Sequence, residues 1–325
     1  MRNWWQGRKS APPAARPGER VIDATENRQT DPPDAWERPL DRRLLPSLQG
    51  EGMRGHPYRP LTLRDVPPAA IEDLRGAVGE PVAERLFVLP SARRTTDRGG
   101  NDWVTTPTRV IGVGGDAIAL WVDDGTKPGV RARIPFDEVL AVMDLNVLLL
   151  GRLEIVGEHG SFVVRYNAVN RPDLRDMLLP LRRSFAVASG TLPQTSLTPQ
   201  DLPYKWLNVV QSTDVQPAGR EEVLLVAGGV DGPKPRAGGG VGVMTSRELV
   251  IATDPTPYSK EATYGVDVVA VPRTRVLSVV GTRDLLEVQI RADVPTALWL
   301  AVDAELAARI GTVLGPGFDA AGSGD

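Results

Sequence analysis

The sequence predicts a mainly β protein that contains two copies of one small domain. A nine-residue segment at positions 134–142 recurs at positions 271–279, with four identical residues. Each copy lies between runs of strand-forming residues and is followed by further strand-like runs and one amphipathic helix. Matching residues keep a nearly constant separation, which is 137 residues for Ile134 and Val271 and 133 residues for Leu153 and Leu286. We therefore expect a tandem duplication rather than a short-period repeat array.

Composition narrows the classes of function. The chain has 325 residues, 41% of them hydrophobic, and a net charge of −3. That size suggests two or three domains, and that charge provides no global basic field for nucleic acid. The absence of cysteine excludes disulfides, Cys-ligated zinc and thiol nucleophiles, and it favours a reducing, cytoplasmic location. No apolar run is long enough to span a bilayer, and the N-terminus has no signal-peptide core, so we expect no transmembrane segment.

Residues 1–60 are predicted to be a disordered tail. They are rich in proline and charged residues and show no apolar periodicity. Trp4, Trp5 and Trp36 are the exceptions. They are either incidental aromatic residues or short docking motifs, since tryptophan offers a large apolar area at a low entropy cost.

A short helix is predicted within residues 61–80, just before the first domain. Pro67 and Pro68 suit its first turn, and Gly79 can end it. Ile71 and Leu74 share one face with Val78, which is the spacing of a helix with one apolar side.

The first domain is predicted to span residues 81–187. The glycines of the segment 114–116 favour a tight hairpin turn, and residues 90–102 are predicted to form a polar loop. A helix is predicted over 171–185, where Leu174, Leu178, Leu181 and Phe185 form one apolar stripe that closes the core. Strands are predicted over 85–89, 109–113, 117–122, 130–134, 139–145, 148–156 and 161–166.

A linker, residues 188–219, leads to the second predicted domain at residues 220–315. Within the linker, the apolar segment 204–210 is expected to pack on a domain or add an edge strand. Asp303 is expected to cap a final helix whose apolar stripe includes Leu306 and Ile310. Residues 316–325 are expected to be frayed. Strands are predicted over 222–227, 241–244, 248–252, 266–271, 276–280, 285–290 and 297–301.

The order of these elements resembles that of bacterial pleckstrin-homology-like domains. The resemblance is carried by the Ile134–Val142 segment, by Gly151–Ile155 and by the helix over 171–185, and the second copy follows the pattern more loosely. It covers about residues 85–185 and 221–314. It implies two tandem, partly open β-barrels, each closed by a C-terminal α-helix. Such domains bind phospholipid headgroups, peptides or other proteins, and the fold alone does not choose among these ligands.

The sequence predicts no catalytic, cofactor or metal site. The only histidines are His56 and His159, and the chain has no cysteine. We therefore expect neither a catalytic triad nor a His-based metal site. Glycine runs at 112–115 and 238–242 lack the Gly-Lys-Ser/Thr ending of a nucleotide-binding loop, so we interpret them as turns. The carboxylate pairs at 123–124, 137–138 and 221–222 are interpreted as turn or edge residues.

Basic residues are predicted to lie in the loop that follows the first strand of each copy. Arg93, Arg94 and Arg98 belong to the first copy, and Lys234 and Arg236 to the second. Guanidinium groups suit bidentate contacts with phosphate, so these residues are the candidate anion or headgroup site. The alternative is that they are ordinary solvent-exposed loop charges.

The sequence therefore favours a non-enzymatic adaptor or scaffold that binds protein partners through sheet edges, loops and the tail. Open sheet edges, and the groove beside the C-terminal helix, can accept an extended peptide by strand addition. The alternative is a peripheral membrane module that binds anionic lipid through the basic loops. An enzyme whose site lacks Cys and His is the third and least favoured hypothesis.

Overall fold

The computed structural model describes residues 15–24, 38–39, 57–95, 102–125, 127–147, 150–188, 201–217, 223–230, 239–254, 265–282 and 285–314. These residues form a mainly β structure, as predicted. The helices are α1 (Pro68–Val78), α2 (Arg171–Ser184), α3 (Tyr204–Val210) and α4 (Ala304–Val313). The strands are β1 (Arg20–Ala24), β2 (Arg38–Pro39), β3 (Leu86–Leu89), β4 (Ala92–Thr95), β5 (Asp102–Thr106), β6 (Thr108–Gly114), β7 (Ala117–Asp123), β8 (Gly129–Pro135), β9 (Val139–Val147), β10 (Leu150–Gly157), β11 (Ser161–Asn167), β12 (Val223–Val230), β13 (Gly240–Thr245), β14 (Glu248–Thr253), β15 (Asp267–Pro272), β16 (Val276–Thr282), β17 (Leu285–Ile290) and β18 (Thr296–Ala301).

Contacts divide the chain into two compact units. Unit I contains the described parts of Met1–Asn27, Leu140–Leu148 and Phe185–Asp325. Unit II contains those of Arg28–Val139 and Leu149–Ser184. Among the described strands, no sheet closes on itself into a barrel.

Unit II is built around the antiparallel sheet β3-β6-β7-β8. Strands β3, β6 and β7 are buried at consecutive positions, which is expected when both faces of a sheet are covered. Helix α1 packs on one face through Ala70, Leu74 and Val78. Helix α2 contacts β3 and β6, and its predicted apolar stripe is buried. Strands β10 and β11 form an antiparallel hairpin in the same unit.

The predicted loop over residues 90–102 is wrong in part. Strand β4 lies within it, and β5 begins at its end and pairs antiparallel with β4. The segment Trp103-Val104-Thr105-Thr106 consists of residues that favour strands.

Unit I contains two sheets joined by a helix. One is the antiparallel series β9-β15-β14-β13-β12, and the other has the order β1-β18-β17-β16. Helix α4 contacts β12 and β13 of the first sheet and β16 and β17 of the second. Asp303 caps α4 as predicted, because its side chain accepts a hydrogen bond from the backbone N–H of Glu305 at 2.8 Å. For the segment 204–210, the sequence allowed either packing on a domain or an added edge strand. It forms helix α3, which packs on β13 and buries Trp206.

Strand β9 pairs with β15 within unit I, although it lies inside the segment 81–187 predicted as one domain. Three residue pairs form the antiparallel ladder, from Val142 opposite Ala270 to Asp144 opposite Val268. The backbone N–H of Asn146 donates to the Asp267 carboxylate at 2.6 Å and extends the contact. No local pattern in the sequence indicated this pairing, since it joins segments more than 120 residues apart.

The N-terminal segment also departs from its prediction. Residues 20–24, within the tail expected to be disordered, form strand β1. Val21 and Ile22 supply the apolar side chains that make docking favourable in a segment that otherwise has few. Among the described residues, no helix has the length and apolarity needed to cross a bilayer.

Candidate functional site

The outer edge of β18 carries the most informative contact in unit I. Strand β1 adds to this edge in parallel register, with Arg20 opposite Thr296 and Ala24 opposite Leu300. The ladder begins where the backbone N–H of Arg20 donates to the carbonyl of Pro295 at 2.8 Å. A short N-terminal segment thus occupies a sheet edge in the way that an extended peptide ligand does.

Strand β1 uses both of its faces. Ile22 and Ala24 point to one face and are 5% and 8% exposed. Val21 points to the other face and packs against a cluster formed by Ala297 and Trp299 with Leu285. Docking therefore removes apolar surface from water on both sides of the sheet, which adds a hydrophobic contribution to the backbone hydrogen bonds.

Polar contacts position the residues just before β1. Gly18 adopts a φ of 79°, and the Glu19 N–H donates to the Arg16 carbonyl at 2.9 Å, so the chain turns immediately before the strand. The Arg16 guanidinium lies 3.5 Å from the Glu287 carboxylate on β17. The Gln289 side chain donates to the Glu19 carboxylate at 3.4 Å. Arg16 and Glu19 thus each contact a polar side chain of β17.

Trp299 carries a donor that the docked strand does not use. Its side chain is 4% exposed, and its indole Nε1–H has no hydrogen-bond partner within the described structure. A buried N–H without an acceptor costs free energy. The β18 edge therefore pairs with β1 and packs its apolar side chains, but one buried donor beside it, the Trp299 Nε1–H, has no acceptor in the described structure.

Neighbouring elements also cover described parts of β15 and β16 in unit I. The ladder of β15 is continued by β9. Beside β16, a Cβ atom on Gly281 would overlap the Ala307 carbonyl oxygen of α4, and the Val279 N–H donates to the carbonyl of Leu314 at 3.3 Å. At Gly281 the backbones of helix and strand are in direct contact, so a peptide has no room between them at that point, and the expected groove beside the C-terminal helix stays a prediction.

No known protein identifies this site. Neither protein-family models nor curated proteins nor solved structures gave a match to the chain.

The structure describes only part of the predicted headgroup site. Arg93 and Arg94 lie on β4, where the backbone pairs with Val104 and Trp103 of β5, so their segment is a strand and not the predicted loop. The remaining candidates lie outside the described residues. They are Arg98, Lys234 and Arg236 of the basic loops and Trp4, Trp5 and Trp36 of the predicted docking motifs.

Several polar residues and one glycine singled out in the sequence lie in turns. His159 is exposed in the turn between β10 and β11. Asp123 accepts the N–H of Gly125 at 2.9 Å, which is turn chemistry, as predicted for this carboxylate pair. Gly115 adopts a φ of 57° in the predicted hairpin turn. Within the described residues, no group of three or more His, Asp or Glu side chains could hold a metal ion.

Sequence reasoning missed the β1 segment. Its signal is a short apolar cluster, Val21 and Ile22 with Ala24, in an otherwise polar, proline-rich region. Five residues are too few for periodicity to separate a strand from a chance cluster. The segment is recognised as a strand only from its pairing with the edge of β18.

Proposed function

We propose that this chain is a non-enzymatic cytoplasmic scaffold, built from two pleckstrin-homology-like domains, that binds extended segments of protein partners along sheet edges. The observation that carries the proposal is the parallel addition of β1 to β18. That contact combines a backbone ladder with buried apolar side chains, and strand addition is one way in which proteins recognise peptides.

The order of elements supports the duplication. Helix α1 precedes the strands β3 and β6–β8, a 3-10 turn, the strands β9–β11 and helix α2. Helix α3 precedes the strands β12–β15, a 3-10 turn, the strands β16–β18 and helix α4. Sheets β3-β6-β7-β8 and β12-β13-β14-β15 have the same antiparallel order, and a proline precedes each 3-10 turn.

Two pairs of backbone hydrogen bonds recur at matching places. The first residue of each 3-10 turn donates its N–H to a hairpin carbonyl at 2.7 Å: Phe136 to Asp116, and Arg273 to Arg247. The last residue of each 3-10 turn accepts an N–H from the residue after the following hairpin strand. Glu158 donates to Glu138 at 3.0 Å, and Arg291 to Arg275 at 2.7 Å. Such recurrence favours a common ancestor for the two copies.

A photo-crosslinking experiment tests the scaffold proposal. A photoreactive amino acid is placed at Val294, which is 46% exposed beside β18, in the full chain expressed in its own cells. We expect covalent adducts with one or a few proteins. A matched variant carries the probe at Val169, which is 68% exposed in unit II, and should not give the same adducts.

Vesicle sedimentation tests the lipid alternative. The full chain is spun with phosphatidylserine vesicles and with neutral phosphatidylcholine vesicles at physiological salt. We expect no sedimentation with either. Under the lipid alternative, the three arginines at 93, 94 and 98 would each contribute about 1 kcal/mol, and replacing all three with alanine would weaken binding roughly a hundredfold. Sedimentation with anionic vesicles that this triple substitution abolishes would overturn the scaffold proposal.

A further inference from the structure

We infer that the β18 edge is a binding site for an extended protein segment, and that residues 16–24 are its internal occupant, which the partner displaces. The inference rests on the proposed scaffold function and names the surface and the chemistry of the ligand. The partner strand runs parallel to β18, as β1 does, and fills the positions of Val21 and Ile22 with apolar side chains.

Among the described elements that cover β15, β16 and β18, strand β1 is the easiest to exchange. It has five residues and pairs in parallel, a pairing that is slightly less stable per residue than the antiparallel one. Strand β9, which continues the ladder of β15, is preceded by β8 and followed by β10, and helix α4, beside β16, contacts four strands of unit I. Release of β1 leaves the antiparallel sheet β16-β17-β18 and its contacts with α4 intact.

The contacts of β1 define the ligand. In the partner segment, an acidic residue two positions before the first apolar residue contacts Gln289, as Glu19 does in this chain. A basic residue three positions before that acidic residue contacts Glu287, as Arg16 does in this chain. The unused Nε1–H of Trp299 offers a donor for a side-chain acceptor on the incoming strand. A partner that supplies this acceptor gains a hydrogen bond that β1 does not make, and this gain favours the exchange.

A peptide-binding assay tests the exchange. A fluorescein-labelled peptide with the sequence of residues 16–24 is titrated into the full chain carrying Ile22→Asp, which weakens the internal strand by placing a carboxylate at a buried position. We expect anisotropy to report binding to this variant at least tenfold tighter than to the wild type. A peptide that itself carries Ile22→Asp should not bind. No binding of the original peptide to the folded variant overturns the inference.

A disulfide that locks β1 onto β18 provides the opposite test, because it prevents the release of β1. The chain has no cysteine, so Val21→Cys with Ala297→Cys introduces a single pair at directly opposite positions of β1 and β18. The oxidised lock should abolish peptide binding, and reduction should restore it to the wild-type level. In the matched control, Ile22→Cys with Ala297→Cys, the side chains point to opposite faces and no disulfide should form.

Two further measurements distinguish a failure of this inference from unfolding of the variant and from a failure of the scaffold proposal. If Ile22→Asp unfolds the chain by near-ultraviolet circular dichroism, Val21→Asp, at a half-buried position, takes its place. Photo-crosslinking from Val294 is then repeated with the oxidised lock. Loss of the protein adducts supports the inference. Adducts that persist with the lock closed overturn it while leaving the scaffold proposal in place, and peptide binding equal in all variants overturns it as well.

Discussion

Gly281 on β16 lies directly against Ala307 on α4, so closely that a side chain on Gly281 would overlap the Ala307 carbonyl oxygen. The contact is matched from the helix side, where a Cβ on Gly311 would lie 2.7 Å from the Gly281 nitrogen. Two glycines therefore allow the backbones of a helix and a strand to touch. This contact fixes α4 on the sheet and leaves no room there for a peptide.

Gly281→Ala should strongly destabilise unit I. The new methyl group meets backbone atoms that cannot move without shifting α4, so we expect the free energy of unfolding to fall by about 3 kcal/mol or more. Urea denaturation checks this. Gly129→Ala is the matched control, because its Cβ enters open space on β8 and should change stability by less than about 0.5 kcal/mol. Equal effects of the two substitutions would contradict the close packing.

Leu178→Ala should destabilise unit II. Leu178 is 4% exposed on the buried face of α2, so its removal leaves a cavity and should cost about 2–5 kcal/mol. Thermal and urea unfolding measure the loss. The control is Asp176→Ala on the exposed face of the same helix, which should change stability by less than about 0.5 kcal/mol. An unchanged melting temperature for Leu178→Ala would mean that this face does not close a core.

Asp73→Ala should loosen α1 from its sheet. The indole N–H of Trp121, which is 1% exposed, donates to the Asp73 carboxylate at 2.8 Å. Losing this acceptor leaves a buried donor unsatisfied, at a cost of about 1–3 kcal/mol. Asp73→Asn keeps an acceptor oxygen and should retain most of the stability. Chemical unfolding followed by tryptophan fluorescence separates the two, and equal losses would argue against the hydrogen bond.

Glu80 should titrate below its ordinary pKa of 4.5. A hydrogen bond from Arg75 at 2.8 Å lowers the pKa of this carboxyl group, and the same contact raises the pKa of Arg75. A carboxyl group with a depressed folded-state pKa contributes stability above its unfolded pKa, and that contribution is lost as pH falls through the folded value. Both groups are exposed, so the effect on stability should be small. NMR titration of Glu80 should show the low midpoint, and Arg75→Gln should return it toward 4.5.

Local patterns in the sequence predicted most of the described strands and three of the four described helices. The hairpin at Gly115 and the cap at Asp303 follow from turn and capping chemistry, which depends on a few adjacent residues. The buried stripe Leu174, Leu178, Leu181 repeats at helical spacing and therefore predicted the inner face of α2. These features need no knowledge of distant segments.

Only the tertiary structure decided which segment covers each sheet edge. Val21 faces Ala297, and Met143 faces Val269, because backbone donors and acceptors of distant segments meet in register. Every strand carries the same backbone groups, so the sequence does not mark which edge a strand will join. The close backbone contact at Gly281 likewise depends on where α4 lies. The candidate site on β18 is therefore a property of the folded chain, and its residues share no local motif.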